Sequence, residues 1–274
     1  MTSLATDAPI KLERSIKRRH GSGGFGIEIL WPGLAGDGDD SGVGTIGRID
    51  HAHVLPGTLI AMHPHRDDEI LTYLRSGRVL HSDSEGHTSE VSNKRLMLMG
   101  AGRRFEHEEQ VQPGEELTGL QIFLRPSVGG LPPQVRFRDL EDVFNKDAWR
   151  LLASPHAGEV LQVRSRSWVH DVRLSEGVPL VLPAVEAASP LHLVYVFDGR
   201  ISVAGLTLVT GESALVSTEA TINAEQTSDL VVFTTDLAST VFKGGMFSGN
   251  QRAQVDDKRF VNRESEKLEP SPVN

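Results

Sequence analysis

The stretch GTLIAMHPHRDDEILTYLRSGRVLHSDSEGH (residues 57–87), followed by GAGRRFEHEE (100–109), decides how this chain is read. Each segment carries two donor residues two positions apart: His63 and His65 around Pro64, and His107 and Glu109 around Glu108. On an extended strand, residues i and i+2 face the same side, roughly 6.6 Å apart along the backbone. Each pair can therefore aim both side chains into one interior. Three imidazoles and one carboxylate then converge, a donor set for a divalent transition metal rather than for Ca²⁺ or Mg²⁺, which take mainly oxygen.

Around these segments, residues 46–124 break into short apolar or alternating runs separated by turn residues: TIGRID, TLIAMHPH, EILTYLRSG, RVLHSDSEGH, KRLMLMGAG, FEHEE and LTGLQIFLRP. That spacing predicts an antiparallel sandwich or barrel rather than alternating βα units. SVGGLPPQ (127–134) reads as a linker, and DLEDVFNKDAW (139–149) as a short helix. Strand-like runs then resume in LQVRSRSWVHDVRL, VPLVLP, LHLVYVFDG, ISVAG, ESALVS and LVVFTT. YLRSGRV (73–79) is echoed by YVFDGRI (195–201), which points to an internal duplication. The expected layout is an N-terminal barrel with the metal site over 1–130, a C-terminal barrel without one over 131–250, and a mobile polar tail over 251–274. Residues 1 to about 20 read as a basic surface arm.

At 274 residues and 38% hydrophobic content the chain can fill proper cores. A net charge of −9 opposes a general affinity for nucleic acid or anionic lipid. The chain has no cysteine, which excludes disulfides, thiolate metal sites and thiol nucleophiles. No apolar run reaches the roughly 18 residues a membrane span needs. The N-terminal segment lacks an apolar signal core and has Thr2 where myristoylation would need glycine. A cytoplasmic location is the expectation.

Other motifs fall away on inspection. Gly21, Gly23 and Gly26 match the spacing of a dinucleotide fingerprint but precede a strand instead of a helix. Asp37, Asp39 and Ser41 mimic the opening of a calcium loop whose twelfth position is Arg48. A lone His-x-His is usually a surface or hydrogen-bonded pair, and His51 with His53 is expected at the surface or a strand edge. His81 and His87 are expected to serve as hydrogen-bonding framework, and Tyr73 and Phe105 as core. No Gly-x-Ser-x-Gly elbow supports nucleophilic hydrolysis.

Gly57, His63, His65 and Glu69 approximate the first cupin motif, although the closing glycine is Gly77 where that spacing falls on Ser76. The two quoted segments together resemble the pirin family of two-domain cupins. That family's pattern is His-Pro-His, Glu, Thr-Tyr, a glycine turn, His, Asp, Ala-Gly-Arg and His-x-Glu. Here these positions are His63 to His65, Glu69, Thr72-Tyr73, Gly77, His81, Asp83, Ala101 to Arg103, and His107 with Glu109. The match covers mainly 57–126. Carried over, the ligands fall on His63, His65, His107 and Glu109, and the fold implied is all-β, two cupin-type antiparallel barrels. Two departures stand out: Asp67-Asp68 replaces the family's Gly-Phe, and Arg104 stands where glycine is usual. Either Asp67 keeps inward parity and adds a carboxylate near the ion, or the strand ends at His65 and both aspartates meet solvent. Glu69 is read as orienting a ligating imidazole.

Three histidines and a glutamate leave coordination positions open, as a non-haem dioxygenase requires. Fe is the first expectation, with Ni, Cu, Mn and Zn compatible with the same ligands. The resemblance implies quercetin 2,3-dioxygenase activity, with a flavonol and O₂ as substrates and Glu109 as the base for the flavonol hydroxyl. It equally implies a competing role, a non-enzymatic metal- or redox-responsive regulator with a protein partner. His156, His170 and His192 in the second half have no i+2 partner, so that barrel is expected to lack a metal.

Overall fold

The computed structural model describes residues 8–253 apart from 159 and 218. The first half contains β1 (Ile10–Leu12), β2 (Arg18–His20), β3 (Phe25–Leu30), β4 (Ile46–Val54), β5 (Leu59–His65) and β6 (Glu69–Ser76). It continues through β7 (Arg78–Asp83), β8 (Thr88–Ser92), β9 (Arg95–Gly100), β10 (Phe105–Val111), β11 (Leu117–Leu124) and β12 (Gln134–Asp139). The second half contains β13 (Arg150–Ser154), β14 (Leu161–Gln162), β15 (Ser167–Leu174), β16 (Pro179–Val181) and β17 (Pro190–Asp198). It ends with β18 (Arg200–Val203), β19 (Leu206–Val209), β20 (Ser213–Val216), β21 (Thr221–Ala224) and β22 (Ser228–Asp236).

Strands β2 to β12 form one curled sheet in the order β2-β3-β4-β11-β6-β9-β8-β7-β10-β5, with β12 also on β9. The second half builds a β1-β20-β17-β22-β15-β13-β14 sheet facing a smaller β16-β21-β18-β19 sheet. Apart from the short β13–β14 pair, the strand pairings are antiparallel. No helix among the described residues is long and apolar enough to cross a membrane.

Three apolar clusters follow from strand parity. Ile70, Leu74, Met97, Met99 and Phe105 fill the first barrel. Val172, Val194, Ile201 and Val232 fill the second. The alternate residues of the same strands, among them Leu71, Tyr73, Leu193, Tyr195 and Phe233, form a third cluster between the barrels. A strand buried on both faces needs an apolar run instead of alternation, which is why EILTYLR and LHLVYVF read as they do. The echoed turns hold Gly77 (φ +70°) and Gly199 (φ +108°); at Gly77 a Cβ would lie 2.6 Å from the Leu117 Cα. Both positions need a residue that accepts positive φ at close quarters.

Polar side chains pin the interface. Tyr73 donates to Asp171 Oδ2 at 2.7 Å, and Arg150 grips the same carboxylate at 2.9 and 2.7 Å. Lys17 Nζ donates to the Tyr195 hydroxyl at 2.6 Å, and that hydroxyl lies 2.8 Å from His51 Nδ1. Burial pulls the Lys17 ammonium down to about 8.

Several expectations are overturned here. The basic arm is not a free surface segment: β1 pairs with β20 of the far barrel, and Leu12 is buried. His51 is buried against Tyr195 because β4 faces the second barrel. No helix forms over 139–149. Asp147 has a φ of +56°, and the Asn145 carbonyl and Asp147 N–H both bond to the Arg173 backbone, drawing this segment onto β15. The end of the linker is strand β12. Residues 254–274, the bulk of the expected tail, lie outside the described residues.

Phe233, 1% exposed, sits in the cluster shared by both barrels. Phe233→Ala is expected to cost about 3–5 kcal/mol of unfolding free energy, read as a lower urea midpoint.

Candidate metal centre

β10 lies between β5 and β7, and its register sets His107 opposite both His63 and Asp83, and Glu109 opposite His81. Phe105, His107, Glu109 and Val111 are buried while Glu106, Glu108 and Gln110 are half-buried, the alternation of a strand with one face inside. Between His107 and Glu109 the pairing slips by one residue, so Glu109 meets Ile60 instead of Ala61. This bulge on β5 re-aims the strand beside the histidines. β5 lies at the end of the sheet order, where Pro64 removes no required ladder bond.

The three imidazoles come together. Ring centroids of His63 and His107 are 4.4 Å apart, and His65 lies 5.0 Å from each. His63 Nδ1 donates to the Ala61 carbonyl at 2.8 Å, which leaves its Nε2 a lone pair. The Nε2 atoms of His65 and His107 face each other at 3.0 Å. Burial and the neighbouring imidazoles hold His107 far below its ordinary value, so it stays neutral. Glu109 belongs to the other side of His107: its Oε1 lies 3.9 Å from His107 Nδ1, and its Oε2 accepts from Gln121 Nε2 at 3.2 Å. Burial pushes the Glu109 carboxyl up to about 7, with the Gln121 bond opposing. His65 Nδ1, His107 Nδ1 and Glu109 Oε1 are buried with no hydrogen-bond partner. A cation would satisfy buried polar atoms left without a partner, and one potential ligand atom from each of His63, His65 and His107 lies within 4.8 Å of the others, so this donor set fits a metal ion.

His63, His65 and Glu109 open onto a cavity of about 360 Å³ in the first barrel. Its walls are largely aliphatic and aromatic, and its polar side chains include Thr72, Gln121, Arg48 and Asp50. Arg48 binds Asp50 through two contacts of 2.6 Å and lies over the rings of Phe123 and Phe247 at 5.3 and 5.2 Å.

The acidic triplet after His65 behaves differently from either reading of it. Asp67 has φ +56° and accepts from Gly130 N at 2.7 Å. Asp68 accepts from the backbone of Phe247 and Ser248 at 3.1 and 2.8 Å. Both are buried, so the strand does end at His65 but neither aspartate meets solvent. Glu69 holds the Arg164 N–H at 2.8 Å and serves the contact with the second half, not an imidazole. The carboxylate beside a site imidazole is Asp68, with Oδ2 3.6 Å from His65 Nδ1.

His81 and His87 bond to Asp83, as framework residues should. Tyr73 and Phe105 are buried core residues. In the second barrel, His192 Nδ1 lies 2.9 Å from Thr234 Oγ1, and His170 is buried beside Trp149. Arg48 and Asp50 went unread although their i, i+2 spacing on TIGRID signals a shared face. Phe247 and Asp68 carried no such signal, because their contacts join residues far apart in the chain.

The curled antiparallel sheets, with the histidine cluster inside the first barrel, have the fold of cupin-type structures. Residues 43–124 match the Pirin family model. Quercetin 2,3-dioxygenase of Escherichia coli strain K12 is 29% identical over 177 residues, covering 64% of this chain and 74% of that protein. Among solved structures, the E. coli pirin YhhW in complex with nickel(II) has TM-score 0.73 at 22% identity, covering 83% of this chain and 99% of that one. Quercetin 2,3-dioxygenase from Acinetobacter baumannii has TM-score 0.68 at 22% identity, covering 94% and 96%.

The buried histidines set a pH dependence. Burial pulls His51 to about 3 and His170 and His192 to about 4, so each is neutral when folded and takes up a proton on unfolding below roughly 6.5. Their contribution is full above that value and is lost as pH falls toward about 4. Glu109 works the other way, its contribution fading as pH rises through about 7. Three groups outweigh one: calorimetry of metal-free protein should show the melting temperature dropping between about pH 7 and pH 5, with a shallower drop in His170→Gln.

Proposed function

We propose that this chain is a metal-dependent dioxygenase acting on a flavonol such as quercetin or a related enol, with the ion held by His63, His65, His107 and Glu109. The observation that carries the reading is the meeting of three imidazoles beside a largely apolar cavity, with the buried and unpaired Oε1 of Glu109 on the other side of His107. The names of the relatives support the same chemistry. Fe is the ion we favour. We also propose that the site belongs to an N-terminal domain over 1–130, with a domain over 131–250 that holds no ion.

A divalent ion so held would acidify an enol hydroxyl and leave positions for substrate and O₂. The chain's own part is to bind, orient and take a proton. The cavity volume falls in the range of roughly 300–1,000 Å³ typical of sites for small organic ligands. Apolar walls receive the flat ring system and exclude water. Arg48, already neutralised by Asp50, offers its remaining N–H groups to a neutral oxygen and so favours a phenol or carbonyl over a carboxylate. Glu109 takes the hydroxyl proton. In the overall reaction the central ring opens with uptake of O₂ and release of CO.

Elemental analysis should find about one ion per chain, most of it lost in His107→Ala because that removes one of few ligands. With iron-loaded protein and quercetin, an oxygen electrode should record uptake, and Glu109→Gln should lower kcat by about 10²–10⁴-fold with substrate binding largely kept. Iron is to be measured in the same variant, and full turnover with iron retained removes Glu109 as the base. No uptake by wild-type protein across a panel of flavonols would favour the metal- or redox-responsive regulator.

A further inference from the structure

Behind the cavity wall, on the far side of His107, lies a second set of donors. We propose that His81, His107 and Glu109 form a second divalent-cation position, which can hold an ion without help from His63 or His65. The proposal rests on the metal centre above, with which it shares His107 and Glu109.

The tautomer of His81 is fixed by its partner. Asp83 accepts N–H bonds from Glu85 and His87 through Oδ1. Its Oδ2 lies 2.8 Å from His81 Nε2, and a carboxylate can only accept, so that nitrogen carries the proton. The lone pair therefore sits on His81 Nδ1. This atom is fully buried and has no hydrogen-bond partner. A carboxylate fixing one nitrogen of an imidazole so that the other can coordinate is the usual support of a ligating histidine.

Two more buried atoms in the same place are equally unpartnered, His107 Nδ1 and Glu109 Oε1. One potential ligand atom from each of His81, His107 and Glu109 lies within 4.8 Å of the others. With the His107 proton on Nε2, where it can be donated to His65 Nε2 at 3.0 Å, its Nδ1 is an acceptor like His81 Nδ1 and Glu109 Oε1, and a cation satisfies all three. His81 is 0% exposed and is enclosed by Phe105 and Phe137, at 6.3 and 6.4 Å between ring centroids. Neither His81 nor Asp83 reaches the cavity. An ion here would be screened from substrate, unlike one among His63, His65 and His107. Two imidazoles and one carboxylate suit Zn²⁺ or a similar borderline ion.

Zinc is the probe, titrated calorimetrically into chelator-stripped protein near neutral pH, with melting of each metal-free variant as the check on folding. The His63→Ala/His65→Ala double variant should still bind one zinc per chain. Adding His81→Asn should weaken that binding by at least about 100-fold, while Asp83→Asn in the same background should weaken it about 10–100-fold. A folded double variant that binds no zinc overturns the proposal, as does a triple variant that binds as tightly as the double. Should the His81→Asn triple variant not fold, unchanged affinity in the Asp83→Asn variant overturns it instead. Zinc bound by wild type but not by the double variant would defeat only the second position. Zinc bound by neither would defeat the metal centre as well.

Discussion

The site depends on one constraint, the register that seats β10 between β5 and β7. A slip of one residue against either neighbour would turn His107 and Glu109 away from their partners. β5 is an edge strand with a proline and a bulge, so its own ladder holds it weakly. The register is instead fixed beyond its ends. At one end Gly57 N bonds to Val111 O and Val111 N to Thr58 O, at 3.0 and 2.9 Å. At the other, three acidic side chains follow His65 within four residues and are all buried.

Those three carboxylates each reach a different remote segment. Asp67 takes the Gly130 N–H of the inter-barrel stretch, Asp68 the N–H groups of Phe247 and Ser248, and Glu69 that of Arg164. A buried carboxylate is tolerable when donors surround it, and backbone N–H groups supply them without needing a second charge. The price of charge burial thus becomes a set of three positional locks immediately beside His65. Asp68 links the lock to the chemistry, since its other contact is the His65 ring.

Local pattern and spacing made much of the first barrel legible. The paired donors, the strand runs and the Gly77 turn with its echo at Gly199 depend on parity and turn conformation, which a sequence carries locally. The mistaken readings concern residues whose partners are distant. Leu12 and Lys17 read as a solvated arm because the strand and hydroxyl that receive them lie near residues 215 and 195. His51 read as surface because parity names a face but not what covers it. Asp67 and Asp68 read as ligand or solvent because backbone donors leave no compositional trace. The helix over 139–149 lost to pairing with Arg173, a tertiary override of local propensity.

Phe247 stands six residues before the end of the described chain, yet its ring lies 5.2 Å from that of His65. The N-terminal barrel is consequently closed by a segment that a ribosome would deliver only after every strand of the second half. While residues 1–130 are emerging, β1 has no β20, Asp68 has no N–H partners and the cavity lacks part of its wall. Such long-range closure is slow compared with local strand pairing. A nascent first half would present its histidines to solvent for as long as the second half takes to appear, and the finished pocket would need both halves to have been made.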